Sequence, residues 1–112
     1  MNKDLERTIS DLRTAGRKTG QHVYKALAEE LDKPKRIRVS VNLSRISRLT
    51  EGGDVVAVPG KVLASGSLTH PVTVAAYAFS DLAKQKITTA GGEAKSLKQL
   101  AEAPSPKVKL VK

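Results

Sequence analysis

The sequence has no cysteine and no tryptophan, and its only aromatic residues are Tyr24, Tyr77 and Phe79. Without cysteine there is no disulfide framework and no thiolate-ligated zinc or iron–sulfur site; a reducing compartment is compatible with this. With two of the three aromatics in segments expected to be core, a platform for stacking single-stranded bases has no material. Long apolar runs are missing too. None approaches the ~18 residues a bilayer span requires, and "MNKDLERTIS" lacks the apolar stretch of a signal peptide. The expectation is a soluble intracellular, cytoplasmic chain. Catalytic constellations are also lacking. His22 and His70 stand far apart with no carboxylate cluster beside them, Ser65 lacks a G-x-S-x-G frame, and no paired carboxylates are visible. No metal, no cofactor, no small-molecule substrate and no enzymatic activity are therefore expected, and His70, in a turn before Pro71, is expected to be a surface or hydrogen-bonding residue.

Acidic residues are scarce as well: 11 stand against 20 lysines and arginines, a net charge of +9. That excess points to a polyanion such as nucleic acid, or to an anionic membrane surface. It is unevenly spread. Residues 1–32 hold six bases and six acids, and residues 51–112 hold eight and five. Residues 33–50, "KPKRIRVSVNLSRISRLT", hold six bases and no acid, so two thirds of the net charge lies in one sixth of the chain. Like charges at that density repel unless a partner neutralises them.

At 112 residues one domain is expected, spanning 1–112, burying roughly two thirds of the surface of its unfolded chain. Its parts are a helical stretch (1–32), the basic segment (33–50) and an α/β core (51–112). Leu5, Ile9 and Leu12 share a helical stripe, predicting a helix from about Lys3 to Ala15 that ends near Gly16. Val23, Leu27 and Leu31 predict a second helix, stopped by Asp32 and Pro34, with "GRKTG" as the turn of a helical hairpin. Ile37, Val39, Val41 and Leu43 then alternate with Arg36, Arg38, Ser40 and Asn42, the period of an extended segment with one buried face. From Leu43 the spacing lengthens through Ile46 and Leu49, and Asn42 is placed to cap a short helix. Arg45 and Arg48 fall together on its outer side, one turn apart, where two guanidinium groups can hold a phosphate.

Glu51 to Asp54 is a turn, "VVAV" a buried strand ending at Pro59, and "THPVTVAAYAFS" a strand covered on both faces. Ser80-Asp81 cap a helix ending at Ala90-Gly91-Gly92. "SLKQ" from Ser96 to Gln99 matches a capping box, Pro104 and Pro106 close its helix, and "KVKLVK" alternates as a terminal strand.

The stretch "VPGKVLASG", Val58 to Gly66, has glycines around a lysine but is not a phosphate loop. In the Walker pattern the Lys follows the second Gly, whereas here Lys61 follows the first, and G-x-G-x-x-G is missing. The glycines are better explained by turns, Pro59-Gly60 before and Ser65-Gly66 after, packing Val62 and Leu63 and leaving Lys61 outward as a point charge suited to phosphate.

Four motifs in combination, N-x-S-R-I-x-R at Asn42 to Arg48, V-P-G-K-V-L-x-S-G at Val58 to Gly66, P-V-T-V-A-A at Pro71 to Ala76 and A-G-G at Ala90 to Gly92, resemble the archaeal and eukaryotic large-subunit ribosomal protein family L-eighteen-e, related in fold to bacterial L-fifteen. The resemblance runs from the first helix nearly to the C-terminus, and the length suits an archaeal member. It implies an α/β fold with a small core of stacked irregular β-β-α-like units, an N-terminal helical hairpin and a basic extended segment lying on large-subunit ribosomal RNA. It implies a structural constituent of the ribosome with neighbouring large-subunit proteins as further partners. Carried onto this sequence, the residues facing RNA are Lys33, Lys35, Arg36, Arg38, Asn42, Arg45, Arg48 and Lys61, with Arg17 and Lys18 between the first two helices. The alternative is an interaction module whose basic face meets an acidic protein.

Overall fold

The structure, a computed structural model, describes residues 3–34 and 38–112. The chain is an α/β protein built on a parallel sheet. Two helices open it, α1 (Lys3–Thr19) and α2 (His22–Leu31). They form the expected hairpin, but with a shorter connection. Helix α1 runs through Gly16, which lies against Tyr24 and Lys25 of α2, and the break falls at Gly20-Gln21. Arg17 and Lys18 consequently sit in the last turn of α1 and not in a loop, where their charge favours the carbonyl end of the helix.

The rest of the chain alternates strand and helix: β1 (Ser40–Asn42), α3 (Leu43–Leu49), β2 (Val55–Leu63), β3 (Thr73–Phe79), α4 (Asp81–Thr89), β4 (Glu93–Ser96), α5 (Leu97–Glu102) and β5 (Lys109–Leu110). Strands β1 to β4 lie side by side in chain order, and β5 pairs with β2; every pairing is parallel. One edge of β2 is shared, β5 along Val56 and Ala57 and β1 along Lys61 to Leu63. Strand β4 was not legible in the sequence, because "EAKS" has a single apolar residue and depends on its pairing with β3.

Alternation along β2 and β3 divides the apolar residues between two layers. Ala57 and Ala75 join Leu5, Ile9, Leu12, Leu27, Leu97 and Leu100 beneath α1, α2 and α5. Val56, Val58, Val74 and Ala76 join Leu43, Ile46, Ala83 and Ile87 beneath α3 and α4. The small alanines let the hairpin approach the sheet, while valines fill the other side. Burial of β3 on both faces at Val74, Ala75 and Ala76 matches the expectation. Caps fix the helix ends. The Ser80 hydroxyl accepts from Ala83 N–H, and Ser96 and Gln99 make both bonds of the capping box. After α4, Gly92 N–H returns to the Ile87 carbonyl and Gly91 N–H to Thr88, closing the helix.

The reading of Pro59-Gly60 as a turn is overturned. Strand β2 continues through both residues to Leu63, absorbing them in a register shift between Val58 and Lys61. Proline is tolerated at such an irregularity because its missing N–H falls where the ladder is interrupted. The second corner holds. Gly66 adopts φ 86°, a conformation that side chains rarely take, and a β-carbon there would meet Ser44.

Candidate nucleic-acid interface

Parallel strands are ordinarily joined by a helical crossover, and here residues 64–72 carry the chain from β2 to β3 without one. Side chains and one backbone bond hold that crossover. Lys86 of α4 donates to the carbonyls of Ala64 (2.9 Å) and Gly66 (3.1 Å), and Ser44 N–H donates to Ser65 (3.2 Å). Farther along, Ser47 and Thr69 hydroxyls meet at 3.3 Å, and His70 lies between Thr69 (3.2 Å) and Thr50 (2.8 Å). Thr50 already donates to the Ile46 carbonyl, so it accepts from His70 Nε2. His70 is thus a hydrogen-bonding residue as expected, and with Ser44 and Ser47 it fastens α3 to the crossover.

Helix α3 is short and depends on this fastening and on burial of Leu43 and Ile46. Arg45 and Arg48 are exposed on it, on the side predicted. Leu49, expected to complete the apolar stripe, is exposed instead. Asn42 occupies the N-cap position, yet its side chain makes no capping bond and is exposed. Lys61 is exposed on β2 opposite Ser40 of β1, so the pairing of these strands brings it beside the segment that leads into α3.

The remaining predicted residues stand differently. Lys35 and Arg36, with Ile37, lie outside the described residues. Lys33 is exposed but ion-paired to Glu30 at 2.9 Å. Glu30 also holds Lys112, at 2.6 Å, and these two ammonium groups, Lys112 first, hold its carboxyl below its ordinary pKa. Arg17 and Lys18 ride on α1, on the layer opposite α3, so the structure does not join them to the Arg45 and Arg48 face. Arg38 is partly buried, its guanidinium 5.3 Å from the centroid of the Tyr77 ring. Tyr77 itself corrects the sequence reading: it is 39% exposed and not a core residue. Its place at the outer end of a strand was hidden by the apolar run around it.

Ion pairs among the described residues take up Arg13, Lys33, Lys109 and Lys112. None involves Arg38, Arg45, Arg48 or Lys61. These four are left without an ion pair among the described residues, and Asp54 is engaged elsewhere: it holds Lys109 at 2.9 Å and accepts from Glu51 N–H. Among the described residues no group of three or more possible metal ligands occurs, and no helix is long and apolar enough to cross a membrane.

The fold and its charge define a basic α/β protein whose parallel sheet carries a helix with two exposed arginines. Residues 4–95 match the family described as ribosomal proteins 50S-L15, 50S-L18e and 60S-L27A, and the chain belongs to that family. It is 40% identical over 111 residues to the large ribosomal subunit protein eL18 of Methanothermobacter thermautotrophicus, covering 99% of this chain and 91% of the relative. It is 48% identical over 101 residues to eL18 of Haloarcula marismortui, covering 90% and 86%, and 50% identical over 80 residues to eL18 of Sulfurisphaera tokodaii, covering 71% and 68%. The family is one of ribosomal proteins and not of enzymes.

Proposed function

We propose that this chain is a structural constituent of the large ribosomal subunit in the cytoplasm, where it holds folded ribosomal RNA by neutralising its phosphate backbone. The observation that carries the reading is the cationic surface on and beside α3: Arg45, Arg48 and Lys61 are exposed and make no ion pair among the described residues. Arginines on a helix fastened at Ser44, Ser47 and Thr50 meet phosphates in a fixed register, the role of backbone contacts that position and do not read sequence. Asn42 belongs to that surface, Lys35 and Arg36 are proposed as RNA contacts on their charge alone, and Arg17, Lys18 and Lys33 form secondary contacts. Neighbouring large-subunit proteins are the other partners.

The double reversal Arg45→Glu with Arg48→Glu tests this. If about six phosphates are neutralised, wild-type affinity for large-subunit ribosomal RNA falls roughly a thousandfold between ~50 and ~200 mM salt. The double variant is expected to fold normally, bind weakly and show a salt slope lower by about two. Normal entry of the variant into subunits would overturn the phosphate role, and survival of the complexes after RNase treatment would favour an acidic protein partner.

A further inference from the structure

The backbone brings three residues, Arg38, Lys61 and Tyr77, into one neighbourhood. Val39, the residue after Arg38, accepts a hydrogen bond from Lys61 N–H at 3.1 Å. Lys61 in turn registers with Ala78, the residue after Tyr77. Across this junction the Arg38 guanidinium lies over the Tyr77 ring, 5.3 Å from its centroid, within the range of cation–π attraction. The Arg38 Nε is shielded and has no hydrogen-bond partner among the described residues. Among the described residues the ring, not a carboxylate, holds the arginine, and no ion pair neutralises its charge. Tyr77 is 39% exposed although Ala75 and Ala76 before it are buried.

We propose that Arg38 and Tyr77 form a receptor for one unpaired nucleobase, with Lys61 on the adjoining phosphate; this rests on the RNA-binding reading above. A nucleic-acid strand carries a flat ring and a charge in each nucleotide, and this site offers an aromatic face and a guanidinium plane, with exposed Lys61 on the strand paired beside Tyr77. Bases unstacked from a folded RNA stack on aromatic rings and on arginine planes, and any base supplies a π-face. An acidic protein segment would need the cations but not the ring. The site is small, so it takes a single extruded base within a folded RNA and is not a track for an extended strand.

The test is binding of the full chain to a large-subunit ribosomal RNA transcript across a salt series. Tyr77→Ala is expected to lower affinity about ten- to hundredfold at every salt concentration without changing the slope, because stacking releases no counterions. Tyr77→Phe should keep most of the affinity. Arg38→Lys, which retains charge but not the plane, should weaken binding at unchanged slope, whereas Lys61→Ala should lower the slope by about one. With no tryptophan in the chain, a Tyr24→Phe variant leaves Tyr77 as the sole tyrosine, and its emission should be quenched to saturation at one equivalent of RNA. If wild type binds with steep salt dependence and Tyr77→Ala is indistinguishable from it, the base receptor alone is wrong. If Tyr77→Ala binds transcript normally but fails to enter subunits, the site takes a protein neighbour and the proposal falls. No binding of wild type to transcript would defeat the RNA reading itself.

Discussion

Gly60 stands in β2 where the carbonyl of Val39 occupies the space a β-carbon would fill. The close approach lets the segment before β1 come down onto β2, so that Lys61 N–H reaches the same carbonyl at 3.1 Å. One missing side chain thus places Arg38, Lys61 and the start of α3 on one part of the molecule.

Gly60→Ala should therefore destabilise the chain by about 1–3 kcal/mol, the cost of forcing atoms into a filled space. Gly52→Ala is the control, since a β-carbon there meets nothing closer than 3.9 Å and should change stability by less than ~0.5 kcal/mol. Urea unfolding of the two variants beside wild type checks both. Equal midpoints would mean that β1 yields to the added methyl.

The Glu30 carboxyl, held low first by Lys112 and then by Lys33, makes stability depend on pH. A carboxyl depressed in the folded state contributes stability that is present above its unfolded value, ~4.3, and lost as pH falls through the lower folded value. Glu30→Gln should be less stable than wild type at neutral pH, and the gap should close as the solution is acidified below about pH 4. Unfolding midpoints of the two proteins between pH 3 and 7 report the convergence; a constant gap would assign the effect to packing.

Ion pairing should also rank the cations in RNA binding. Replacing Arg48 by Ala should lower the slope of log affinity against log salt by about one, as for any lost phosphate contact. Lys33→Ala should change it less, because Lys33 is already paired with Glu30. Filter binding over a salt series separates the two variants, and equal slopes would show that Glu30 releases Lys33 to RNA.

Much of the fold was legible locally. Helical spacing marked α1, α2 and α3, the capping box marked α5, and alternation marked β3, since each signal repeats within a few residues. What failed had distant causes. Gly16 suggested a helix end because glycine is a poor helix former, but α2 packs against it. Pro59-Gly60 had the composition of a turn, and pairing with β1 and β3 kept it in a strand. For the site, Arg45, Arg48 and Lys61 were identifiable as outward charges, whereas Tyr77 was assigned to the core because its neighbours are apolar and its exposure depends on what covers the strand end.

The sign and concentration of the charge, the absence of thiol chemistry, the order of most elements and the family resemblance were all set by composition and short-range pattern. Which cations lack an ion pair among the described residues, that Arg38 lies on Tyr77, and that Arg17 and Lys18 belong to the opposite layer from α3 came from the folded arrangement. Those outcomes depend largely on parallel strand pairing and on ion pairs such as Lys109 with Asp54 and Lys112 with Glu30, contacts that no local spacing encodes.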